Sequence, residues 1–264
     1  MSAPTSARAP APVRAALDTG ARCLVLSPHL DDAVLSCGAL LGELAPRSEI
    51  TVLTLFTEAT DGPHGRAARS FLRQCAHPDA ATLFRARRAE DRAVVGSLGA
   101  RPEHLGLTDA LFRRRDVPTA LAGVGRLVPE LLHRYPTFRF DIARGRVSRG
   151  DRALRAELAA RIAARAGEAD LLLCPLGVGR HVDHLLTRDL GLAWPGPVVW
   201  FSDFPYALDH DPDAAFLRRE GLRPWSFDEG LDAKDALVRG YATQVDALFP
   251  SGVVPRRPET YWTR

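Results

Sequence analysis

Short aliphatic runs that alternate with longer helical stretches constrain this 264-residue chain more than any other feature. The segments 21–27 (ARCLVLS), 49–57 (EITVLTLFT), 102–107 (PEHLGL), 170–177 (DLLLCPLG) and 197–204 (PVVWFSDF) read as strands. Between them, the periodic segments 31–45, 81–100, 119–135, 152–169, 181–194 and 231–249 read as helices, with Pro129 a kink or break in the third. Strands separated by helices of this length pair in parallel, and the helices must cover both faces of the sheet. The expected fold is therefore α/β: a single Rossmann-like domain, residues 19–264, built on a mostly parallel sheet. Residues 1–18, rich in Ala and Pro, read as a disordered lead-in, and the polar stretch 61–78 reads as a loop beside the site.

Composition narrows the partners. An apolar content of 46% supports a sizeable core, and 35 basic against 32 acidic residues make no case for nucleic acid. Cys23, Cys37, Cys75 and Cys174 are widely spaced, without a CxxC, and read as buried free thiols. There is no secretory signal pattern and no apolar run of about 18 residues, so a cytoplasmic protein with no membrane partner is expected. Formation of a homo-oligomer is left open.

Two polar clusters stand out from this frame. In SPHLDD, His29, Asp31 and Asp32 follow the first strand directly. In PLGVGRHVDH, His181 and His184 follow the strand 170–177. Ligands of open parallel sheets bind outside the carboxyl ends of the strands, so both clusters fall at the same edge. His29, Asp32 and His184 would supply two imidazoles and a carboxylate, a set that suits zinc with a position left for water. Asp31 would then be free to act as a base. Capping of the following helix is the competing explanation for the two aspartates.

With these strings the chain resembles the PIG-L/LmbE-like zinc-dependent N-deacetylases, whose signature is (A/S)-H-P-D-D-E after the first strand and H-x-x-H later. The similarity extends through RRAEDRAVVGSLGA, LGLTDA, WFSDFPYA and KDALVRGYATQ, about residues 21–262. Leu30 replaces the usual Pro and Ala33 the usual Glu; neither is a ligand in the family. Some relatives carry a tyrosine just before H-x-x-H, where this chain has Gly179 and Arg180. The resemblance implies that His29, Asp32 and His184 hold Zn(II), with Fe(II) an alternative to which the same ligands are suited. It further implies that Asp31 is the general base and that His181 stabilises the oxyanion or donates a proton. Arg87 and Asp109 match positions that contact substrate. Asp203, after the strand 197–204, either lines the same pocket or caps a turn.

The implied activity is metal-dependent hydrolysis of an amide, removing an acyl group, in the first instance acetyl, from the amino group of a small molecule. An N-acetylglucosamine-type sugar or glycoconjugate is the implied substrate. The alternatives are a catalytically inactive metal- or sugar-binding module of the same fold and an amidase acting on a non-sugar conjugate. A metal-dependent phosphoesterase would need more carboxylates at the strand ends. AHPDA (residues 76–80) imitates the signature but follows no strand. His64, His104, His133 and His210 read as loop, structural or solvated residues. Arg85, Arg88 and Arg92 read as a solvated helix face, and the basic FRRRD (residues 112–116) is too short to argue for nucleic acid, though it is placed to meet an anionic substrate group.

Overall fold

The computed structural model describes residues 9–118, 123–125 and 127–264. Seven strands form one sheet: β1 (Arg22–Ser27), β2 (Glu49–Glu58), β3 (Arg101–Thr108), β4 (Leu171–Pro175), β5 (Val198–Phe201), β6 (Arg223–Phe227) and β7 (Glu259–Thr263). Their order is β3-β2-β1-β4-β5-β7-β6. The first five run parallel, and β7 pairs antiparallel with both β5 and β6. The mostly parallel α/β expectation is met; the two antiparallel edge strands are an addition to it.

The strand side chains explain why the sheet has two covered faces. Val25, Val52, Leu171 and Leu173 belong to one apolar cluster, whereas Leu24, Leu26, Leu53, Leu172 and Cys174 belong to another. This is the period of two that sends successive side chains to opposite faces. The first face is covered by α1 (Ala11–Thr19) and α2 (Asp32–Leu44), through Val13, Leu17, Val34 and Leu41. The second is covered by the helices Arg152–Ala163, Val182–Leu192 and Ala214–Glu220, through Leu158, Ile162, Leu186, Leu190 and Phe216. A third cluster, including Leu30, Leu72, Phe84, Phe112 and Tyr135, lies around the segments that follow β1, β2 and β3 and walls the site. All four cysteines are buried and unpaired.

The topology creates the site. From β1 the chain goes through α2 to β2 and then β3 on one side; from β3 it crosses back to β4 on the other side of β1. β1 and β4 lie side by side in parallel, with Cys23 opposite Leu171 and Val25 opposite Leu173. The connections leaving these two strands therefore diverge, and a crevice opens beyond their carboxyl ends.

Four sequence expectations need correction. Residues 11–18 are not disordered: they form most of α1, with Pro at its first turn and Val13, Ala16 and Leu17 buried in the core. The stretch 61–78 is not all loop, because Arg66–Gln74 is helical. The helix expected over 119–135 falls partly outside the described residues; residues 123–125 and 127 are helical, and beyond the break before Pro129 there is only a short 3-10 turn, Pro129–Leu131. The last helix is two, Leu231–Arg239 and Ala242–Leu248, broken at Gly240 and Tyr241.

One buried ion pair ties the antiparallel edge to α2. The Lys234 ammonium lies 2.9 Å from the Glu259 carboxylate, which also accepts hydrogen bonds from the amides of Ala39 (2.9 Å) and Leu40 (3.0 Å) and from the Tyr261 hydroxyl (2.6 Å). Removing one partner leaves the other as an uncompensated buried charge. Glu259→Ala is expected to cost about 3–5 kcal/mol of stability, read as a lower urea midpoint at an unchanged slope; a loss under 1 kcal/mol would contradict this role.

Candidate active site

His29 and the two aspartates lie in the tight passage from β1 into α2. Ser27, at the end of β1, clasps this passage: its hydroxyl donates to the His29 carbonyl (2.7 Å) and accepts from the Ala33 amide (3.0 Å). Asp31 occupies the N-cap position of α2 with φ 157° and ψ −32°, a conformation that L-residues rarely adopt, and its carboxylate makes no capping hydrogen bond. The capping explanation therefore fails for Asp31. Asp32, in the first helical turn, folds back to accept from the His29 amide (2.8 Å).

The second segment arrives from β4. The helix Val182–Leu192 starts at His181, whose Nδ1 accepts the Asp183 amide N–H at 3.2 Å. One turn on, His184 enters the same crevice. The rings of His29, His181 and His184 stand 4.9–5.2 Å apart, centroid to centroid. Asp32 Oδ2 lies 3.1 Å from His29 Nδ1 and 3.3 Å from His184 Nε2. The five residues predicted to carry the chemistry are thus brought together. Ring nitrogens of the three histidines can be chosen within 4.8 Å of one another. His181 differs from the other two, however: with Nδ1 accepting a backbone N–H, its proton sits on Nε2, which makes it a donor and not a ligand.

His184 answers the question of a metal. Its Nδ1 donates to Asp203 Oδ1 at 2.6 Å, and its Nε2 is buried without a hydrogen-bond partner. Such an orphaned nitrogen, oriented by a carboxylate on the far side of the ring, is the arrangement found for metal-ligating histidines. The electrostatics agree. Burial by itself would lower His184, but Asp32 and Asp203 outweigh it and lift the imidazole to about 9. His29 is likewise raised, against its burial, by Asp183, Asp32 and Asp109. The crevice favours a positive charge at this spot, and the donor set of imidazoles and a carboxylate suits a divalent cation.

The remaining predicted residues divide. Arg87 and Asp109 line the cavity, both nearly buried. Arg87 Nη2 lies 3.6 Å from Asp31 Oδ1, and its guanidinium stacks over Phe84 and Phe71. Burial raises Asp31 to about 7, with Arg87 opposing and Asp32 reinforcing. Asp203 is corrected. It is 1% exposed, and both its oxygens are used: Oδ1 by His184, Oδ2 by the amides of Gly177 (2.7 Å) and Val178 (2.8 Å). It stands behind His184 and does not line the cavity.

Three features escaped the sequence. Asp183, inside the H-x-x-H string, accepts from the Ala110 amide and holds His29 Nε2 at 3.3 Å. Arg113, from the basic FRRRD string, does not face a ligand; it is buried between Asp183 (2.5 Å) and Asp151 (2.8 Å). Tyr206 lines the cavity with its ring 5.3 Å from that of His184. Gly179 makes room for it: the glycine has φ +78°, and a Cβ there would lie 2.6 Å from the Tyr206 ring. A signal for Asp183 and Arg113 existed only as one charge inside the H-x-x-H string and another in the distant FRRRD string, with nothing to pair them. The imitating AHPDA string instead caps a helix, Ala80–Ser97, through Asp79 and the Thr82 amide.

Comparison with known proteins gives the same picture. Residues 24–194 match the PIG-L family, described as GlcNAc-PI de-N-acetylase. The chain is 32% identical over 236 residues to the 2'-N-acetylparomamine deacetylase of Streptomyces fradiae, an alignment covering 85% of this chain and 74% of that one. Among solved structures, the deacetylase of the teicoplanin biosynthesis pathway in complex with teicoplanin superposes with a TM-score of 0.69 at 26% identity, covering 92% of this chain and 97% of that one. The deacetylase of the antimicrobial reagent A40926 pseudoaglycone gives a TM-score of 0.63 at 26% identity, covering 92% and 96%. The chain belongs to the PIG-L family and is an N-deacetylase.

Proposed function

We propose that this enzyme removes the acetyl group from the 2-amino group of a hexosamine within a larger glycosylated small molecule. The observation that carries this is the buried, unpartnered Nε2 of His184, fixed by Asp203 and facing Asp32, which with His29 lines a cavity of about 780 Å³. His29 Nδ1, Asp32 and His184 Nε2 would hold a zinc ion, with Fe(II) compatible with the same donors. Such an ion, when bound, lowers the pKa of a coordinated water towards about 7 and polarises an amide carbonyl.

The protein's own groups supply the rest. Asp31 takes a proton from the attacking water. Its carboxyl, held at about 7 by burial against the pull of Arg87, is matched to accept that proton at neutral pH and to give it to the departing amine. His181 is neutral, because burial and the neighbouring His29 lower its pKa. Its Nε2–H therefore donates to the carbonyl oxygen as charge develops there. Asp183 accepts from His29 Nε2–H, so that Nδ1 is the basic nitrogen. Arg87 and Asp109, on the cavity wall, are placed to hydrogen-bond sugar hydroxyls. The 2'-N-acetylparomamine named for the Streptomyces fradiae relative supports the substrate class.

The direct test is acetate release from N-acetylglucosaminides and from 2'-N-acetylparomamine, after chelation and zinc restoration. No acetate from any of these, with metal bound, would overturn the proposal. Asp31→Asn is expected to lower kcat by about 10²–10⁴ while bound metal, measured by elemental analysis, is kept. Undiminished turnover would remove Asp31 as base. Asp203→Asn is expected to weaken zinc binding about 10–100-fold in a competition with a chelating dye, with a smaller effect on kcat at saturating zinc.

A further inference from the structure

The floor of the cavity is suited to an acetamido sugar, and its outer half must accommodate what the sugar is attached to. The cavity's 780 Å³ is in the upper part of the roughly 300–1,000 Å³ range of small-molecule sites. Its acidic lining residues, Asp31, Asp32 and Asp109, all belong to the floor. The exposed lining residues are Phe138 and Phe140, the guanidinium-bearing Arg66 and Arg139, and the polar Gln74 and Thr137, with Phe71 and Leu248 half-buried beside them.

The aromatic wall is built and held out. Phe138 and Phe140 sit on a wide helical turn, Phe138–Ile142, pinned by Asp141, which accepts from the Thr137 amide (2.9 Å) and hydroxyl (2.6 Å). Phe140 is 61% exposed, and the Arg144 guanidinium lies 5.1 Å from its ring centroid. Phe138 stands 6.0 Å, centroid to centroid, from His181, so the apolar wall runs directly up from the reacting centre. Charge points the same way. Asp141 is engaged by Thr137, and Arg139 has no acidic partner among the described residues. Glu130, 3.9 Å from Arg66 Nε, accepts that residue's amide and is not part of the lining.

We propose that the group carried by the acetamido sugar is aromatic or otherwise apolar and neutral or anionic, as in an aryl glycoside or a glycosylated aromatic peptide, and is not a polycationic aminocyclitol. The proposal rests on the sugar N-deacetylase function above. An aromatic aglycone would pack on Phe138 and Phe140 and stack beside Arg139, whereas protonated amines at that wall would meet the Arg139 guanidinium and an Arg66 guanidinium that already faces Glu130.

The zinc-restored enzyme is tested on 4-nitrophenyl N-acetyl-β-glucosaminide, free N-acetylglucosamine and 2'-N-acetylparomamine. The expected kcat/KM for the aryl glycoside is about tenfold or more above that for the free sugar, and also above that for N-acetylparomamine. Phe140→Ser, at an exposed position, should lower the aryl-to-free ratio about tenfold, and Arg139→Glu should shift the balance several-fold towards N-acetylparomamine. An aryl-to-free ratio near one, a preference for N-acetylparomamine, or a ratio unmoved by Phe140→Ser would overturn the proposal. Calorimetric binding of 4-nitrophenyl β-glucoside against methyl β-glucoside, neither of which has an amide, reads the outer half alone. If no substrate yields acetate, the deacetylase function fails, and this binding ratio still decides: at least about tenfold supports the aromatic wall, and equal binding refutes it.

Discussion

The parallel pairing of β1 with β4 is the constraint on which the rest of the structure depends. These strands are far apart in sequence, yet their registered hydrogen bonds bring Val25 level with Leu173, so His29 and His184 leave the sheet at the same height. Asp203, Asp183 and Asp32 orient the two rings, but the level of the two segments is set elsewhere. What fixes them is the sheet beneath, whose side chains alternate between two apolar clusters and cannot slip by one residue without exchanging faces. The precision of the site is therefore inherited from core packing.

A crevice that collects Asp31, Asp32, Asp109, Asp183 and Asp203 in a nearly buried space would be costly if the carboxylates faced only one another. Each is instead answered locally. Arg113 neutralises Asp183 and reaches Asp151, which also accepts from Tyr135 and Arg134. Backbone amides answer Asp203, and Arg87 faces Asp31. Asp32 is answered by the imidazoles of His184 and His29, which hold its carboxyl well below the usual carboxylate range against its burial.

Much of this was legible in the sequence because it is encoded at short range. The five residues of the two motifs each follow an aliphatic run, and strand-end topology alone assigns them to one edge. Asp203 was legible by place but not by role: whether a carboxylate after a strand faces the cavity or the back of a histidine depends on the distance to a residue on another helix. Asp183 and Arg113 could not be paired in advance, because their contact spans the molecule. The helix Arg66–Gln74 was hidden by its polarity, with only Ala68 and Leu72 buried. α1 was hidden by the Ala and Pro around it, and β6 and β7 by their brevity and by a Pro that reads against a strand.

The two departures from the family signature bear on whether the chemistry survives. Leu30 is fully buried in the apolar cluster that walls the site, and Ala33 is buried against the sheet on the first turn of α2. Neither points a polar atom at the crevice, and Ala33 contributes to the site only through its amide, which the Ser27 hydroxyl accepts as it would from any residue. The unusual backbone of Asp31 is set by that same clasp and by the amides of Val34 and Leu35, which donate to the Asp31 carbonyl at 3.0 and 2.9 Å. A proline before Asp31 is thus not the only way to hold the turn: packing of Leu30 into the wall and the hydrogen bonds of Ser27 place the carboxylate by other means.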